Sequence, residues 1–322
     1  MRKAAFFCND ANARYSVFGA GRWERINRLV DIHPTVVSQS NIDAELPHLT
    51  QIEVILSTWG IFALTPQQLA RLPQLKVIFY AAGSVKRFAA PLLEAGVTVV
   101  SSWAANAVPT AEFAMAQILL ANKGYHRNLG DRAFKGRGNF GSTVAIIGAG
   151  MVGSKVIELL GPFELDVIAC DPYLSQKRAA ELGVELVSLE EAFTRASVVS
   201  NHAANIPETV GMLRRKHFSS MQQDASFVNT GRGASVVEED LIAVLQERPD
   251  LTALLDVTWP EPPVEGSPFY TMPNVVLSGH LAGSCGDEVV RMADYAAQEM
   301  EAWLAGRPLR YEVTPEMLDR MA

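Results

Sequence analysis

The sequence predicts an α/β protein of two doubly wound domains, with the second inserted into the first. Three observations carry that reading. Apolar runs of strand length alternate with segments of helical period along most of the chain, the pattern of parallel sheets with helical crossovers. A glycine-rich turn falls directly between one such run and the helix after it. A long apolar helix, from Pro109 to about Lys123, separates two sets of alternating elements. The 322 residues leave room for two domains of about 100–200 residues each.

In the first set, strands are predicted at Lys3–Cys8, Thr35–Ser38, Val54–Thr58, Val77–Ala81 and Thr98–Ser101. Helical patterns run over Val17–Val30, Pro66–Arg71 and Ala89–Glu94. Several strands are apolar throughout, as expected where both faces of a sheet are covered. Pro109-Thr110-Ala111-Glu112 reads as a helix start, with Pro in the first turn and an acid where the dipole favours it. The basic, Gly-containing stretch 124–142 reads as a loop or an exchanged arm. The second set predicts strands Thr143–Ile147, Asp166–Cys170, Val198–Asn201, Ala225–Asn229, Thr252–Asp256 and Val275–Ser278. Its helices are Met151–Leu160, Gln176–Leu182, Leu189–Thr194, His217–Met221 and Glu238–Gln246. A last helix, Asp287–Leu304, is expected to return to the first domain. The domains are therefore 1–106 with 287–322, and 107–286.

A net charge of −7 argues against a nucleic-acid or anionic-membrane partner, since both need a basic face. No apolar stretch approaches bilayer-spanning length and no signal-like segment opens the chain. Cys8, Cys170 and Cys285 are far apart and in no metal-ligand spacing. A cytoplasmic protein without a metal is the expectation.

The glycine turn is Gly148-Ala149-Gly150-Met151-Val152-Gly153, between the strand Thr143–Ile147 and the helix that begins inside it. In this context the first glycine makes a tight turn, the second lets backbone approach a pyrophosphate, and the third lets helix pack on strand. The helix N-terminus then offers free N–H groups to phosphates. Asp171 ends the next strand, about 20 residues on, where a carboxylate accepts from a ribose 2′-hydroxyl and would repel a 2′-phosphate. The domain thus reads as a Rossmann unit for NAD rather than NADP. His202, at the end of the strand that passes the cofactor, is a candidate to line its adenosine or ribose side, followed by Ala203. His33, His48, His126 and His217 lack such company and read as surface or structural.

Three further motifs follow predicted strand ends, where open α/β sheets bind ligands. They are Val228-Asn229-Thr230-Gly231-Arg232-Gly233, Asp256-Val257-Thr258-Trp259-Pro260-Glu261-Pro262-Pro263 and Ser278-Gly279-His280-Leu281-Ala282-Gly283. Together with the glycine turn, their order and spacing resemble the D-isomer-specific 2-hydroxyacid dehydrogenases over nearly the whole length. The resemblance implies a flavodoxin-like substrate domain beside the Rossmann domain, and a homodimer formed through the latter. It gives substrate binding and polarisation to Arg232, orientation of the histidine to Glu261, and acid/base work to His280. It adds Thr230, Gly231, Asp256 and Gly283 to the cofactor side. The turn Ala82-Gly83-Ser84-Val85 resembles the one that holds the substrate carboxylate through backbone N–H groups, so Gly83, Ser84 and Val85 join the candidate site. Two departures stand out: Gly231 where the family commonly has Ala, and Gly279 where Pro commonly precedes the histidine.

The chemistry is coherent by itself. Reducing a 2-keto acid needs a hydride on the carbonyl carbon and a proton on its oxygen. A histidine titrates near neutrality and suits the proton. A neighbouring carboxylate fixes its ring, and an Arg fork suits a carboxylate and a developing alkoxide. Trp59 is a candidate pocket wall, with Tyr80, Trp103, Asn106 and Trp259 as further candidates. Bulky walls predict a small anionic substrate resembling glyoxylate, hydroxypyruvate or pyruvate. The alternative reading is an NADH-sensing, corepressor-like binding protein of the same fold.

Overall fold

The computed structural model describes residues 1–321, which form two compact units, Met1–Asn106 with Cys285–Met321, and Ala107–Ser284. The second crossing thus falls two residues ahead of the boundary read from the sequence.

In the first unit, β1 (Arg2–Phe7), β2 (Val30–Ile32), β3 (Val54–Ser57), β4 (Val77–Tyr80) and β5 (Thr98–Ser101) run parallel in the order β5-β4-β3-β1-β2. This is the flavodoxin-like order. A short strand, Glu312–Val313, adds antiparallel to the β5 edge. β3 and β4 are buried at every residue, which explains why they are apolar apart from Ser57 and the Tyr80 hydroxyl. The helix Val290–Leu304 packs on this sheet and buries Met292, Ala293, Ala296, Ala297 and Met300.

Two local readings change. The second strand lies at Val30–Ile32 rather than Thr35–Ser38, and Val37 keeps only one bridge to Phe7. Pro34 lacks an N–H and separates the two stretches. The helix expected over residues 17–30 breaks into Ala13–Val17 and Arg22–Asn27, because Ala20 and Gly21 take φ of +53° and +81°.

The second unit holds β6 (Thr143–Ile147), β7 (Asp166–Cys170), β8 (Glu185–Leu186), β9 (Val198–Asn201), β10 (Ser226–Asn229), β11 (Thr252–Leu255) and β12 (Val275–Leu277). All seven are parallel, in the order β12-β11-β10-β9-β6-β7-β8. The chain winds outward from β6 in both directions, so the switch point lies between β6 and β9. Separate apolar cores form on the two faces, one around Phe193, Phe218 and Phe227 and the other around Val156, Ile157 and Leu160. β8 is an addition to the six expected strands; two residues carry no detectable periodicity.

The long helix begins at Trp103, not Pro109, and runs to Asn122 with Pro109 inside it. Ser102 accepts the first amide bonds, from Ala105 and Asn106. Ala104, Ala105 and Ala107, strong helix formers, carry the helix up to the proline. No helix among the described residues is long and apolar enough to cross a membrane.

Candidate active site

The glycine turn leaves β6 at the switch point. Gly148 adopts φ +81°, and a Cβ there would lie 2.8 Å from the backbone of Ala203. Gly153 packs so closely on the turn that a Cβ would sit 2.0 Å from the Gly148 carbonyl oxygen. At Gly150, just before the helix Met151–Leu160, a Cβ would meet nothing within 4 Å. Two glycines therefore serve internal packing, while the third opens the backbone outward, as a pyrophosphate cradle requires. Met151 is half exposed and Val152 partly buried in the first helical turn.

Asp171 follows β7. Its Oδ2 accepts from Ala149 N (2.7 Å) and its Oδ1 from Tyr173 N (2.8 Å). The carboxylate thus ties its own loop to the glycine turn, and each oxygen keeps acceptor capacity for a hydroxyl. His202 leaves β9, with Nε2 2.9 Å from Ser200 Oγ and Nδ1 2.9 Å from Thr230 Oγ1. Burial pushes its pKa down to about 3, so the ring is neutral at any ordinary pH. Ala203 is buried with its Cα against Gly148.

β10 ends in a network that single-residue motif reading missed. Asn201 Nδ2 donates to Asn229 Oδ1 and to Ser235 Oγ, both at 2.9 Å; Ser235 Oγ donates to the Arg232 carbonyl at 2.8 Å. Asn201, Asn229 and Ser235 are buried, where unpaired amides would be costly, so the network fixes the backbone of the Arg232 turn. Thr230 is buried against His202, and the Gly231 N–H donates to Asn229 Oδ1. Arg232 donates to the Gly231 carbonyl at 2.7 Å. Burial lowers its pKa, while the charge of Glu261 acts in the opposite sense, so these two groups share one electrostatic environment.

Asp256, buried after β11, has a task not visible in its motif. Its Oδ1 accepts from Ser278 Oγ (2.7 Å), Leu281 N (2.9 Å) and Ala282 N (3.2 Å), and its carbonyl accepts from His280 N (2.7 Å). It organises the loop after β12 that carries His280, with Gly283 just beyond. His280 Nδ1 lies 2.5 Å from Glu261 Oε1. Both side chains are open to solvent, at 48% and 37% exposure. Gly279 and His280 adopt successive left-handed conformations, φ +63° and +58°. A histidine there costs about 1–2 kcal/mol, and such strain concentrates at functional sites. A proline, fixed near φ −65°, could not take the Gly279 conformation.

In the first unit, the turn after β4 is held by Ser101 Oγ, which reaches the carbonyls of Ala82 (2.9 Å) and Gly83 (2.6 Å). Ser84 is exposed, whereas Val85 is fully buried. Val85, expected to offer its N–H to a carboxylate, is instead buried as a whole residue and anchors the turn in the core. Trp59, after β3, is 42% exposed, and its carbonyl accepts from Cys8 Sγ. Tyr80 is buried edge-on to Phe88 with its phenol pushed up to about 12, and Trp103 packs on Tyr311. These two belong to packing rather than to an open pocket. Asn106 lies beside Gly83, and Trp259 is largely exposed.

The family model described as "D-isomer specific 2-hydroxyacid dehydrogenase, NAD binding domain" matches residues 113–282. The chain belongs to this family. Its relatives include the D-3-phosphoglycerate dehydrogenase of Mycobacterium bovis, 32% identical over 74% of this chain and 47% of the relative. That of Archaeoglobus fulgidus is 30% identical over 68% and 43%. The chain thus spans about half the length of these curated relatives of the 2-hydroxyacid dehydrogenase family. Among solved structures, the apo D-mandelate dehydrogenase of Rhodotorula graminis shares the fold with a TM-score of 0.82 at 20% identity, covering 98% of each chain. A phosphoglycerate oxidoreductase from Rhizobium etli gives 0.81 at 22%, covering 99% of this chain and all of that one. The glycine turn, Asp171, Arg232, Glu261 and His280 all lie within the segment matched by that model.

Proposed function

We propose that the protein is an NAD-dependent 2-hydroxyacid dehydrogenase that reduces a small 2-keto acid, with His280 as acid/base. The observation that carries the reading is the 2.5 Å Glu261–His280 pair, presented one strand away from Arg232 and on the same sheet as the glycine turn. The open space at Gly150 and the acceptor at Asp171 fit a dinucleotide with an unphosphorylated ribose. When bound, the dinucleotide would supply a hydride to the carbonyl carbon.

The rest of the chemistry belongs to the chain. Glu261 occupies His280 Nδ1, which leaves Nε2 to deliver a proton to the carbonyl oxygen. The carboxylate holds the ring in one orientation, with Nε2 free to donate. Arg232 carries its charge next to this pair, suited to the substrate carboxylate and to negative charge developing on oxygen. In the oxidative direction His280 takes the hydroxyl proton back. The first-unit residues 1–106 and 285–321 form the substrate domain in this reading, with the N–H groups of Gly83 and Ser84 as candidate carboxylate donors and Trp59 as a candidate wall. Homodimer formation through the second unit follows the same analogy.

A panel of 2-keto acids with NADH and with NADPH tests the proposal. Turnover of glyoxylate, hydroxypyruvate or pyruvate with NADH is expected. Preference for a large or phosphorylated acid would overturn the small-pocket assignment. Tight NADH binding with no turnover on any acid would instead favour the sensor reading. His280→Ala should retain NADH binding and lose about 10²–10⁴-fold in kcat.

A further inference from the structure

Glu238 is the first residue of the helix Glu238–Glu247, but its carboxylate does not serve that helix. It reaches the loop after β11, where its Oε1 accepts from Trp259 N at 2.6 Å. Two residues further along that loop stands Glu261, the partner of His280. A second contact joins the same segments. Gly233, next to Arg232, lies so close to Thr258 that a Cβ would fall 2.0 Å from the Thr258 carbonyl carbon. Thr258 Oγ1 in turn donates to the Pro260 carbonyl at 2.9 Å and tightens the turn. A narrow apolar recess lies beneath, lined by Val236, Leu241, Leu255, Val257 and Phe269 beside Glu238 itself.

We infer that Glu238 is a positioning residue: with Gly233 it clamps the segment carrying Arg232 to the loop carrying Glu261, and so sets the Glu261–His280 contact. Pro260, between Trp259 and Glu261, belongs to no strand, so the Trp259 amide held by Glu238 and the Pro260 carbonyl held by Thr258 are the last fixed points before the carboxylate that must meet His280. Burial raises the Glu238 carboxyl above its usual range, opposed by the Trp259 N–H and aided by Glu239. A carboxylate partly desolvated to hold one backbone amide is costly unless that bond has a task. Its neighbour Asp240 provides a contrast on the same helical turn: its Oδ2 accepts from Arg215 N, away from the loop.

This inference rests on the proposed acid/base role of His280, so its test needs a readout that survives failure of that role. Glu238→Gln keeps an oxygen for the Trp259 N–H, Glu238→Ala removes it, and Asp240→Asn serves as a stability control. The first readout is the downfield proton NMR signal of the His280 Nδ1–H bonded to Glu261, which needs no turnover. Glu238→Ala is expected to abolish or shift it, while Glu238→Gln and Asp240→Asn retain it. The second is kinetic. Glu238→Ala should lower kcat tenfold or more with little change in the Kd for NADH, and move the falling limb of the pH profile to lower pH. Glu238→Gln should restore both. A signal and pH profile unchanged in Glu238→Ala would overturn the inference, as would a loss matched by Asp240→Asn at equal thermal destabilisation. If the wild type turns over no keto acid but its signal responds as described, the activity assignment falls and the clamp stands.

Discussion

Gly150→Ala separates a phosphate cradle from an ordinary turn. At this position φ is −68° and an added methyl would meet nothing within 4 Å. Without ligand the variant should fold normally, its stability changed by no more than about 0.5 kcal/mol. With the dinucleotide, the methyl stands where a pyrophosphate must approach backbone N–H groups. Loss of one charge-assisted hydrogen bond costs about 1.5–3 kcal/mol, a ten- to hundredfold weaker Kd. Gly153→Ala should do the reverse. Its Cβ would begin 2.0 Å from the Gly148 oxygen, so helix and strand must part by more than an ångström, at about 1–3 kcal/mol or more. Thermal melts without ligand and NADH fluorescence titrations distinguish the two. Wild-type NADH affinity in Gly150→Ala would refute the cradle. Equal destabilisation by both variants would refute the division of labour between the glycines.

Three other outcomes follow from the loops. Asp256→Asn keeps one acceptor oxygen but loses the charge that holds Ser278, Leu281 and Ala282; urea melts should show a loss of about 1–3 kcal/mol, with lower kcat, and an unchanged melt would show that the loop does not depend on it. His202 takes up its proton near 6.5 when unfolded but only at about 3 when folded, so acid favours the unfolded chain. Its contribution to stability is fully present above about pH 6.5 and falls by up to about 1.4 kcal/mol per pH unit below that. His202→Gln should flatten this slope, and parallel losses in both proteins would exclude the histidine as its source. Gly231→Ala introduces a Cβ 3.1 Å from the Ala203 oxygen and the Asn201 amide; with small shifts it should cost about 1 kcal/mol or less and preserve turnover, and a collapse of activity would mean the Asn201 network cannot yield.

Much of the fold was legible because burial writes itself into composition. β6, β9, β10 and β11 are buried at nearly every residue, and their apolar runs mark them. Helices with one face in the core, such as Met151–Leu160 and Gln176–Leu182, kept their periodicity to the residue. Errors arose where a tertiary contact overrules a local signal. Pro109 looked like a helix start, yet the turn set by Ser102 and its alanines begins the helix earlier. Thr35–Ser38 looked like a strand, yet Pro34 leaves it one bridge. At the candidate site, Arg232, Glu261 and His280 are legible as candidates because their motifs follow strand ends. Asn201, Ser235 and Glu238 were not found, because an amide, a hydroxyl and a helix-terminal acid have no signature of their own. Their partners lie 21–34 residues away in the chain. Val85 shows the converse: a motif assigns it to a site while its side chain serves the core.

Arg232, Glu261 and His280 follow three consecutive neighbours, β10, β11 and β12, whose last residues are in register, Asn229 with Leu255 and Leu255 with Leu277. Adjacent strands stand about 4.8 Å apart, so the sheet acts as a ruler on which each functional loop occupies its own graduation. The crossovers between graduations can lengthen or shorten without moving the marks. A one-residue slip in any of the three strands would displace a whole loop along the ruler. Insertions in the connecting helices should therefore be absorbed where a single deletion inside β11 is not, which makes the spacing of the chemistry a property of hydrogen-bond register rather than of the loops that display it.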